Sequence, residues 1–363
     1  MRIETDRDAL RATIALPLIP DIGLRHAKDL IRHYGSAEEA FRQDGSLKDV
    51  KTAMERANLE LQFIEKHHLQ TYYFEDDDYP QRLAQCPDCP LLLYGKGNLK
   101  LNEGKFVSVV GTRSPSDRGK QICCDFIGDL ASKIPDVTIV SGLAYGIDVT
   151  AHRAALEAGL PTIIIPGHGL DRIYPYTHRQ VAVQALENGG ILTEYMSGTE
   201  PIGPNFVARN RIIAGLADAV VVVESRIKGG SLITADIAFS YNRDLFAFPG
   251  RINDINSAGC NLLIKYDQAR LIECADDLIN AMRWQPKNQG DDGYQTELDQ
   301  LFIDLAPEEQ RIMEILRQNE DGIHVNSIVN ETQLPYSATS SLLFQMELRG
   351  LVRSLPGGLY RAI

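Results

Sequence analysis

Glycine-rich loops with basic residues beside them are the part of this sequence best suited to hold an anion. Such loops follow predicted β-strands, and they contain Gly111, Gly142, Gly167, Gly229 and Gly250. Glycine lets the backbone come close to a ligand, and the helix after each loop offers unpaired N–H groups and a partial positive charge. The pattern predicts a binding site formed from the loops and the residues near them, namely Arg113, Ser141, Gly142, Arg209, Asn210, Arg211, Lys228, Gly230 and Ser231.

Two of these basic residues, Arg209 and Arg211, lie two positions apart near the start of a predicted helix. Residues at that spacing do not share a helix face. We therefore expect one arginine to reach the anion and the other to form an ion pair with a carboxylate. The candidate carboxylates are Glu194, Asp218 and Glu224. Ser231 has a second expected role, because serine at the start of a helix can cap it.

Catalytic and metal-binding patterns are weaker. Asp148 and His152 have the i, i+4 spacing of an acid/base or metal pair, but no nucleophile or third ligand has a matching spacing. A carboxylate bonded at its own helix start and a satisfied histidine are the favoured interpretation. Cys86 and Cys89 lack the second pair that a zinc site needs, which leaves a redox dithiol or two reduced thiols in a turn. We predict no catalytic residue, no metal and no cofactor.

Nucleotide-binding motifs are absent from the sequence. The first loop, Gly111-Thr112-Arg113, does not continue as G-x-G-x-x-G, and no P-loop motif occurs. An arginine in that turn suits an extended phosphodiester better than a buried pyrophosphate. The alternative is a Rossmann-like nucleotide hydrolase of the phosphoribohydrolase kind. Those enzymes use P-G-G-x-G-T-x-x-E, whereas residues 228–235 here are KGGSLITA and lack the carboxylate.

The loops belong to a predicted α/β domain. Seven short, β-rich runs without polar alternation are separated by helical stretches, which predicts a mostly parallel, doubly wound sheet of Rossmann type, covered on both faces. The runs are 106–110, 138–141, 162–166, 191–194, 219–224, 245–248 and 270–273.

Three further segments flank this domain. Residues 1–75 show helical periodicity around a Pro20 to Leu24 turn, which predicts a helical domain (SAM- or helix-hairpin-helix-like) that either packs on its neighbour or contacts DNA phosphates. Residues 286–300 are polar and predict a linker. Residues 301–363 predict three helices and a hairpin, which form a winged helix. The α/β domain then spans 76–285.

Composition narrows the class of protein. The 363 residues carry 37 Lys and Arg against 49 Asp and Glu, a net charge of −12, which argues against a polycation that coats nucleic acid. Residues 105–285 are closest to neutral, with 17 basic and 19 acidic side chains. No apolar run reaches the length of a membrane span, and the N-terminus lacks a signal peptide, so we expect a cytoplasmic protein.

With its loops laid out, the sequence resembles the DNA-processing protein A family (DprA, also called Smf). The motifs that carry the resemblance are VVGTR (109–113), SGLAYGID (141–148), GLDRIYP (169–175), FVARNRIIAGL (206–216), GGSLIT (229–234) and FPG (248–250). The resemblance implies a non-enzymatic recombination mediator that binds single-stranded DNA, dimerises through the Rossmann-like domain and loads the RecA recombinase, usually in natural transformation. An adaptor that acts through protein contacts alone is a further alternative.

Departures from the family pattern change the expected contacts. Where the family usually has lysine and then asparagine after the Tyr-Pro dipeptide, this chain has Tyr176 and His178. Arg179 is then the expected phosphate contact, and Tyr145 or Tyr176 the expected platform for a base. In the winged helix, residues 336–348 contain no Lys or Arg, although helices that read duplex DNA use basic residues. We therefore predict a protein-contact or regulatory role for that domain.

Overall fold

The chain folds into two compact units, Met1–Asn288 and Gln289–Ile363. The computed structural model describes residues 3, 6–285, 306–317, 319, 322–332, 334–348, 351–355 and 359–362. The predicted linker at 286–300 lies outside the described residues and stays a prediction, as do the domain boundaries. Within the described ranges, no helix is both long enough and apolar enough to cross a membrane.

A nine-stranded sheet forms the centre of the first unit, with the strand order β1-β2-β6-β5-β4-β3-β7-β8-β9. The strands are β1 (Gln70–Tyr73), β2 (Leu92–Gly97), β3 (Lys105–Val110), β4 (Val137–Ser141), β5 (Thr162–Ile164), β6 (Gly189–Thr193), β7 (Ala219–Val222), β8 (Asp244–Ala247) and β9 (Arg270–Leu271). The pairs from β6 to β9 are parallel, whereas β1–β2 and β2–β6 are antiparallel. All seven predicted strands are confirmed; β1 and β2 were not predicted, and β1 lies within the range assigned to helices.

Helices cover the sheet on both faces, as expected for a doubly wound fold. They are α5 (Gln81–Ala84), α6 (Asp117–Lys133), α7 (Ile147–Glu157), α8 (Arg179–Ala185), α9 (Gly203–Ala208), α10 (Asn210–Leu216), α11 (Gly230–Ser240), α12 (Ala258–Lys265) and α13 (Ala275–Ala281). Successive side chains of a strand point to opposite faces. Phe106 therefore packs in one apolar core, while Val107 and Val109 pack in the other.

Four helices form the N-terminal part of the same unit. They are α1 (Arg7–Ala15), α2 (Leu24–Tyr34), α3 (Ala37–Gln43) and α4 (Val50–His67). Their apolar faces share a core with Tyr73, Leu92 and Tyr94 from the edge strands, so the helical domain packs on its neighbour. A buried carboxylate, Glu60 of α4, accepts hydrogen bonds from the Ser197 N–H (2.9 Å) and hydroxyl. Contact of this domain with DNA stays a prediction.

The second unit is a winged helix. It contains the helices α14 (Pro307–Arg317), α15 (Val325–Thr332) and α16 (Tyr336–Leu348) and the strands β10 (Ile323–His324), β11 (Val352–Leu355) and β12 (Leu359–Ala362). The strands pair antiparallel in the order β10-β12-β11. Ile312, Ile328 and Leu343 contribute one side chain from each helix to its apolar core. The three predicted helices and the hairpin are confirmed, and the short strand β10 is an addition to them.

Candidate functional site

A cleft of about 730 Å³ opens at the carboxyl ends of β3 and β7. The chain runs from β3 to β4 on one side of β3, while β7 pairs with the other side, so the strand order reverses at this point. Open α/β sheets bind their ligands at such a switch point. Its lining includes Arg113, Phe206, Asn210, Arg226, Lys228 and Gly230. We call this space the switch cleft.

Two cations of the switch cleft are free to meet a ligand. Arg113 follows β3 and Lys228 follows β7, and both side chains are exposed. Among the residues that the structure describes, no carboxylate lies within 4.0 Å of either basic group. Arg113 instead lies over the Phe206 ring, 5.9 Å from its centre. An unpaired guanidinium and ammonium on opposite sides of the switch point suit an anionic ligand with more than one charge.

The N-terminus of α11 contributes backbone donors to the same cleft. This helix begins at Gly230, which is exposed and has open space where a side chain would stand. The prediction that Ser231 caps the helix is wrong. Gly229 occupies the cap position, and the Ser231 hydroxyl donates instead to the Ser225 hydroxyl at 2.8 Å. Ser231 is buried and holds the loop below the helix end together.

Arg209 is a buried cation in the floor of the switch cleft, with 3% of the side chain exposed. Its guanidinium donates to the Ile165 carbonyl. The absence of a side chain at Gly142 makes room for it, because a Cβ there would collide with the guanidinium. Burial lowers the pKa of Arg209 to about 10, although the charge of Asp148 opposes the shift. Arg209 therefore stays charged and places positive charge below the cleft without projecting into it.

Arg211 forms an ion pair with Glu194, which confirms one of the three predicted carboxylate partners. Both side chains are largely buried. Burial raises the pKa of the Glu194 carboxyl, and the adjacent Arg211 opposes the rise. Asn210 lies between the two arginines and is part of the cleft lining. Contact of one of the two arginines with DNA stays a prediction. Of the two, Arg209 lines the switch cleft and Arg211 does not.

The loop after β4 separates into a buried part and an exposed part. The Ser141 hydroxyl is fully buried and donates to the Val109 carbonyl at 2.6 Å, so it joins two strands and is not accessible to a ligand. Tyr145 is half-exposed and packs edge-on against His178, at 4.9 Å between ring centres. His178 in turn pairs through Nδ1 with the Leu143 carbonyl at 2.9 Å. The loop is therefore fastened to the segment that begins at residue 176.

That segment carries the remaining predicted contacts. Tyr176 is 76% exposed, in a 3₁₀ turn that runs to His178, and the exposed Arg179 begins α8. Tyr145, Tyr176 and Arg179 lie beside the switch cleft and not in its lining. They can contact a chain that extends beyond the cleft, and their roles stay predictions.

The residues with catalytic spacing are enclosed. Asp148 accepts a hydrogen bond from the Ala144 N–H at 3.3 Å, and burial raises its pKa against the pull of Arg209. His152 is fully buried, with Nδ1 2.7 Å from the Thr162 hydroxyl, and burial lowers its pKa to about 3. Asp148 therefore bonds to the loop that precedes α7 and not to the helix itself. The histidine is satisfied at Nδ1, while its buried Nε2 has no hydrogen-bond partner among the described residues. In the described part of the chain, no cluster of three or more His, Cys, Asp or Glu side chains could hold a metal ion.

The two cysteines of the CPDC motif are free, buried thiols. The Cys89 N–H donates to the Cys86 carbonyl at 3.2 Å, which closes the predicted turn. Cys89 Sγ also lies 2.9 Å from the buried Lys28 Nζ of α2, so this turn contacts the helical domain.

Sequence reasoning missed the aromatic wall of the switch cleft. Phe206 of α9 lies 5.8 Å from the exposed Tyr174 ring, measured between centres, and both line the cleft beside Arg113. Arg226 was missed as well, although it also lines the cleft. The signal available was the position of Phe206 at the head of the FVARNR motif, three residues before Arg209.

Comparison with protein families gives two matches. A family model described as DNA recombination-mediator protein A matches residues 70–283. A second model, the DprA winged helix domain, matches residues 299–358. Protein Smf of Synechocystis sp. is 36% identical over 341 residues, which cover 85% of this chain and 84% of that protein.

Two solved structures are similar to the chain over most of their own length. The X-ray structure of DNA processing protein A from Streptococcus pneumoniae aligns with a TM-score of 0.66 and 33% identity, over 77% of this chain and 98% of that one. A structure of DNA processing protein A from Helicobacter pylori, described for its single-stranded DNA binding mode, aligns with a TM-score of 0.53 and 33% identity. It covers 59% of this chain and 95% of that one.

Proposed function

The chain belongs to the DNA recombination-mediator protein A family of DNA-processing proteins, and from that premise we propose that it binds single-stranded DNA in the switch cleft and loads the RecA recombinase onto it. The proposal includes action as a homodimer through the Rossmann-like domain, in the cytoplasm, during DNA uptake and natural transformation. It assigns no catalytic step to the protein.

The observation that carries this proposal is the pair of exposed cations at the switch point, which have no carboxylate partner among the described residues. Arg113 and Lys228 flank the exposed Gly230 at the start of α11. Guanidinium, ammonium and helix N–H groups all donate to phosphate oxygens. The chain has a net charge of −12. Cations that lack a carboxylate partner within the described part of the chain, and that stand at the mouth of one cleft, favour a polyanionic ligand over a neutral one.

The aromatic wall supports a single strand over a duplex. Tyr174 is exposed, and Phe206 is accessible beside Arg113 in the cleft lining. Base–aromatic stacking is worth about 1–3 kcal/mol per base, and it needs bases that are not already stacked within a double helix. Tyr145 and Tyr176 offer further exposed rings beside the cleft for the same strand.

Two carboxylates of the described residues near the switch cleft are poorly placed for the hydrolase alternative. Glu224 follows β7, but it is buried, and its oxygens accept from the Ser116 N–H and hydroxyl, both at 2.8 Å. Asp148 lines the cleft, but it is buried and accepts a hydrogen bond from the Ala144 N–H. A glycosidic cleavage needs an accessible acid or nucleophile near the substrate, and these two groups are engaged in holding loops.

A binding experiment tests the proposal. Fluorescence anisotropy compares a labelled single-stranded oligothymidylate with a duplex of the same length as the salt concentration rises. We expect tighter binding of the single strand and a log–log slope of roughly −0.7 for each phosphate contacted. A salt-independent affinity, or a preference for the duplex, would contradict the proposal. Release of free base from nucleoside monophosphates would support the hydrolase instead.

Loading of the recombinase needs its own assay. RecA is added to single-stranded DNA already covered by a single-strand-binding protein, and RecA ATP hydrolysis is followed with and without this protein. We expect the lag before ATP hydrolysis to shorten, and we expect a variant defective in strand binding to leave it unchanged. If the wild type and the binding-defective variant shorten the lag equally, loading does not depend on the switch cleft.

A further inference from the structure

The loop at residues 250–257 places two large apolar side chains in water. Ile252 is 95% exposed and Ile255 is 72% exposed. The loop follows β8, so it stands at the same edge of the sheet as the switch cleft. Its two ends meet, because Gly250 has no side chain to collide with Ser257 and its N–H donates to the Asn261 side chain at 3.0 Å.

This loop is fastened to the lip of the switch cleft. The Arg226 Nε donates to the Asn256 side-chain oxygen at 2.9 Å, and Arg226 itself lines the cleft. A second bond lies close by: the Gly259 N–H, in the first turn of α12, donates to the Ser225 carbonyl at 2.7 Å. Ile255 is thus held next to a residue of the cleft. The exposed Ile227 lies between Arg226 and Lys228 on the same lip.

The charges on the lip are positive. Arg226, Lys228 and Arg251 have exposed side chains, and none has a carboxylate within 4.0 Å among the residues in the described ranges. The one carboxylate within the loop, Asp254, accepts from the Asn256 N–H at 3.0 Å and from the Ser257 hydroxyl at 3.3 Å. Both oxygens of Asp254 therefore form hydrogen bonds within the turn. The result is a surface with three exposed cations that have no carboxylate partner among the described residues, and with three exposed isoleucines.

We propose that this surface, residues 226–228 and 251–255, binds the nucleotides of a single strand that leave the switch cleft. We call it the exit lip. Its cations contact phosphates, and its isoleucines cover the faces of unstacked bases. The inference rests on the proposed function, since it extends the path of the strand that the cleft holds. The consequence is a binding site longer than the cleft itself.

Charge and continuity favour a nucleic acid strand as the occupant. A cationic surface that adjoins an anion-binding cleft without interruption matches a polymer whose charge repeats along its length. Exposed apolar side chains between the cations match a ligand with apolar faces between its charges. A duplex does not meet this description, because its base faces are stacked inside. If a second protein occupies this surface instead, the isoleucine variant should bind strands of both lengths as the wild type does.

Oligothymidylates of two lengths separate the exit lip from the switch cleft. A strand of about 6 nucleotides fills the cleft, and one of about 20 nucleotides passes over the lip as well. We expect the double variant Ile252→Ser/Ile255→Ser to bind the short strand as the wild type does. It should bind the long strand roughly tenfold more weakly, because two partly covered isoleucines no longer contact bases.

A control variant removes an exposed apolar residue elsewhere. Leu59 of α4 is 60% exposed and lies in the helical domain, so Leu59→Ser should bind both strands like the wild type. Thermal melting should give the same midpoint for all three proteins.

The cations of the exit lip are tested separately. Arg251→Gln should reduce the salt slope by roughly 0.7 with the long strand and leave it unchanged with the short one.

Two results would overturn the exit lip while the proposed function stands. The first is wild-type affinity of the double variant for both strands, which would show that the isoleucines do not contact the strand and would favour a protein partner for them. The second is an equal loss for both strands, which would place the loop in the cleft. If the wild-type protein binds neither strand, the proposed function fails, and the exit lip fails with it.

Discussion

Replacement of Arg113 by glutamine is the sharpest test of the switch cleft. Arg113 is exposed, has no carboxylate partner within the described residues, and touches Phe206 only by a cation–π contact. Glutamine keeps most of the side-chain length and removes the charge. Surface substitutions without a structural role change stability by about 0.5 kcal/mol or less. We therefore expect Arg113→Gln to melt within a few degrees of the wild type.

The expected loss of binding follows from one charge-assisted contact. A hydrogen bond to a charged group contributes about 1.5–3 kcal/mol, and its removal weakens binding by a factor of about 10 to 150. The salt slope should become less steep by roughly 0.7, the share of one phosphate on a single strand. Both quantities come from fluorescence anisotropy with a labelled oligothymidylate, at salt concentrations from about 50 to 300 mM.

Arg153→Gln is the matched control. Arg153 is an exposed arginine of α7 with no ion pair in the described part of the chain, and it lies outside the lining of the cleft. The control makes the same change in net charge at a different place. If Arg113→Gln keeps its affinity within twofold and keeps the wild-type slope, Arg113 does not contact phosphate. If Arg153→Gln loses as much as Arg113→Gln, the effect comes from net charge and not from the cleft.

Three further predictions concern buried groups of the α/β domain. Gly142→Ala should destabilise the protein by about 1–3 kcal/mol in urea unfolding and weaken strand binding, because the new Cβ displaces the Arg209 guanidinium; an unchanged unfolding midpoint would be evidence against this packing. Arg211→Met should cost about 3–5 kcal/mol, because Glu194 is left buried without its partner, and a second change, Glu194→Leu, should recover most of that loss. His152 has its pKa lowered by burial from 6.5 to about 3, so the unfolded chain binds a proton that the native protein does not. Its contribution to stability is complete above pH 6.5 and falls by up to about 1.4 kcal/mol per pH unit below it. Urea unfolding at pH 7 and pH 5 should therefore show a smaller difference for His152→Gln than for the wild type.

The central sheet could be predicted because its strands are buried on both faces. Runs such as Ala219–Val222 are continuous, β-branched and separated by helical stretches, and only a covered parallel strand tolerates that pattern. Gln70–Tyr73 and Leu92–Gly97 gave no such signal. They pair with each other in antiparallel register and extend the sheet at its edge, under the helical domain. The second of them also pairs with Gly189–Thr193, far along the chain, so local sequence does not identify these strands.

The candidate site was predicted at the level of loops and not of side-chain directions. Arg113, Lys228 and Gly230 lie in the switch cleft because strand ends and helix starts fix their backbone. Arg209 and Ser141 point inward for reasons that are tertiary. The guanidinium needs the space left by Gly142, and the hydroxyl needs the Val109 carbonyl on the neighbouring strand. Neither condition can be read from the residues adjacent in sequence.

The buried carboxylate of Glu60 joins the helical domain to the chain segment that leads into α9. Ser197, which donates to Glu60, lies shortly before α9, the helix that carries Phe206. A protein trimmed to begin at residue 70 would still contain every strand of the central sheet, but Ser197 would lose its contact with Glu60. Removal of the helical domain would therefore also remove a contact that holds the chain segment leading into α9.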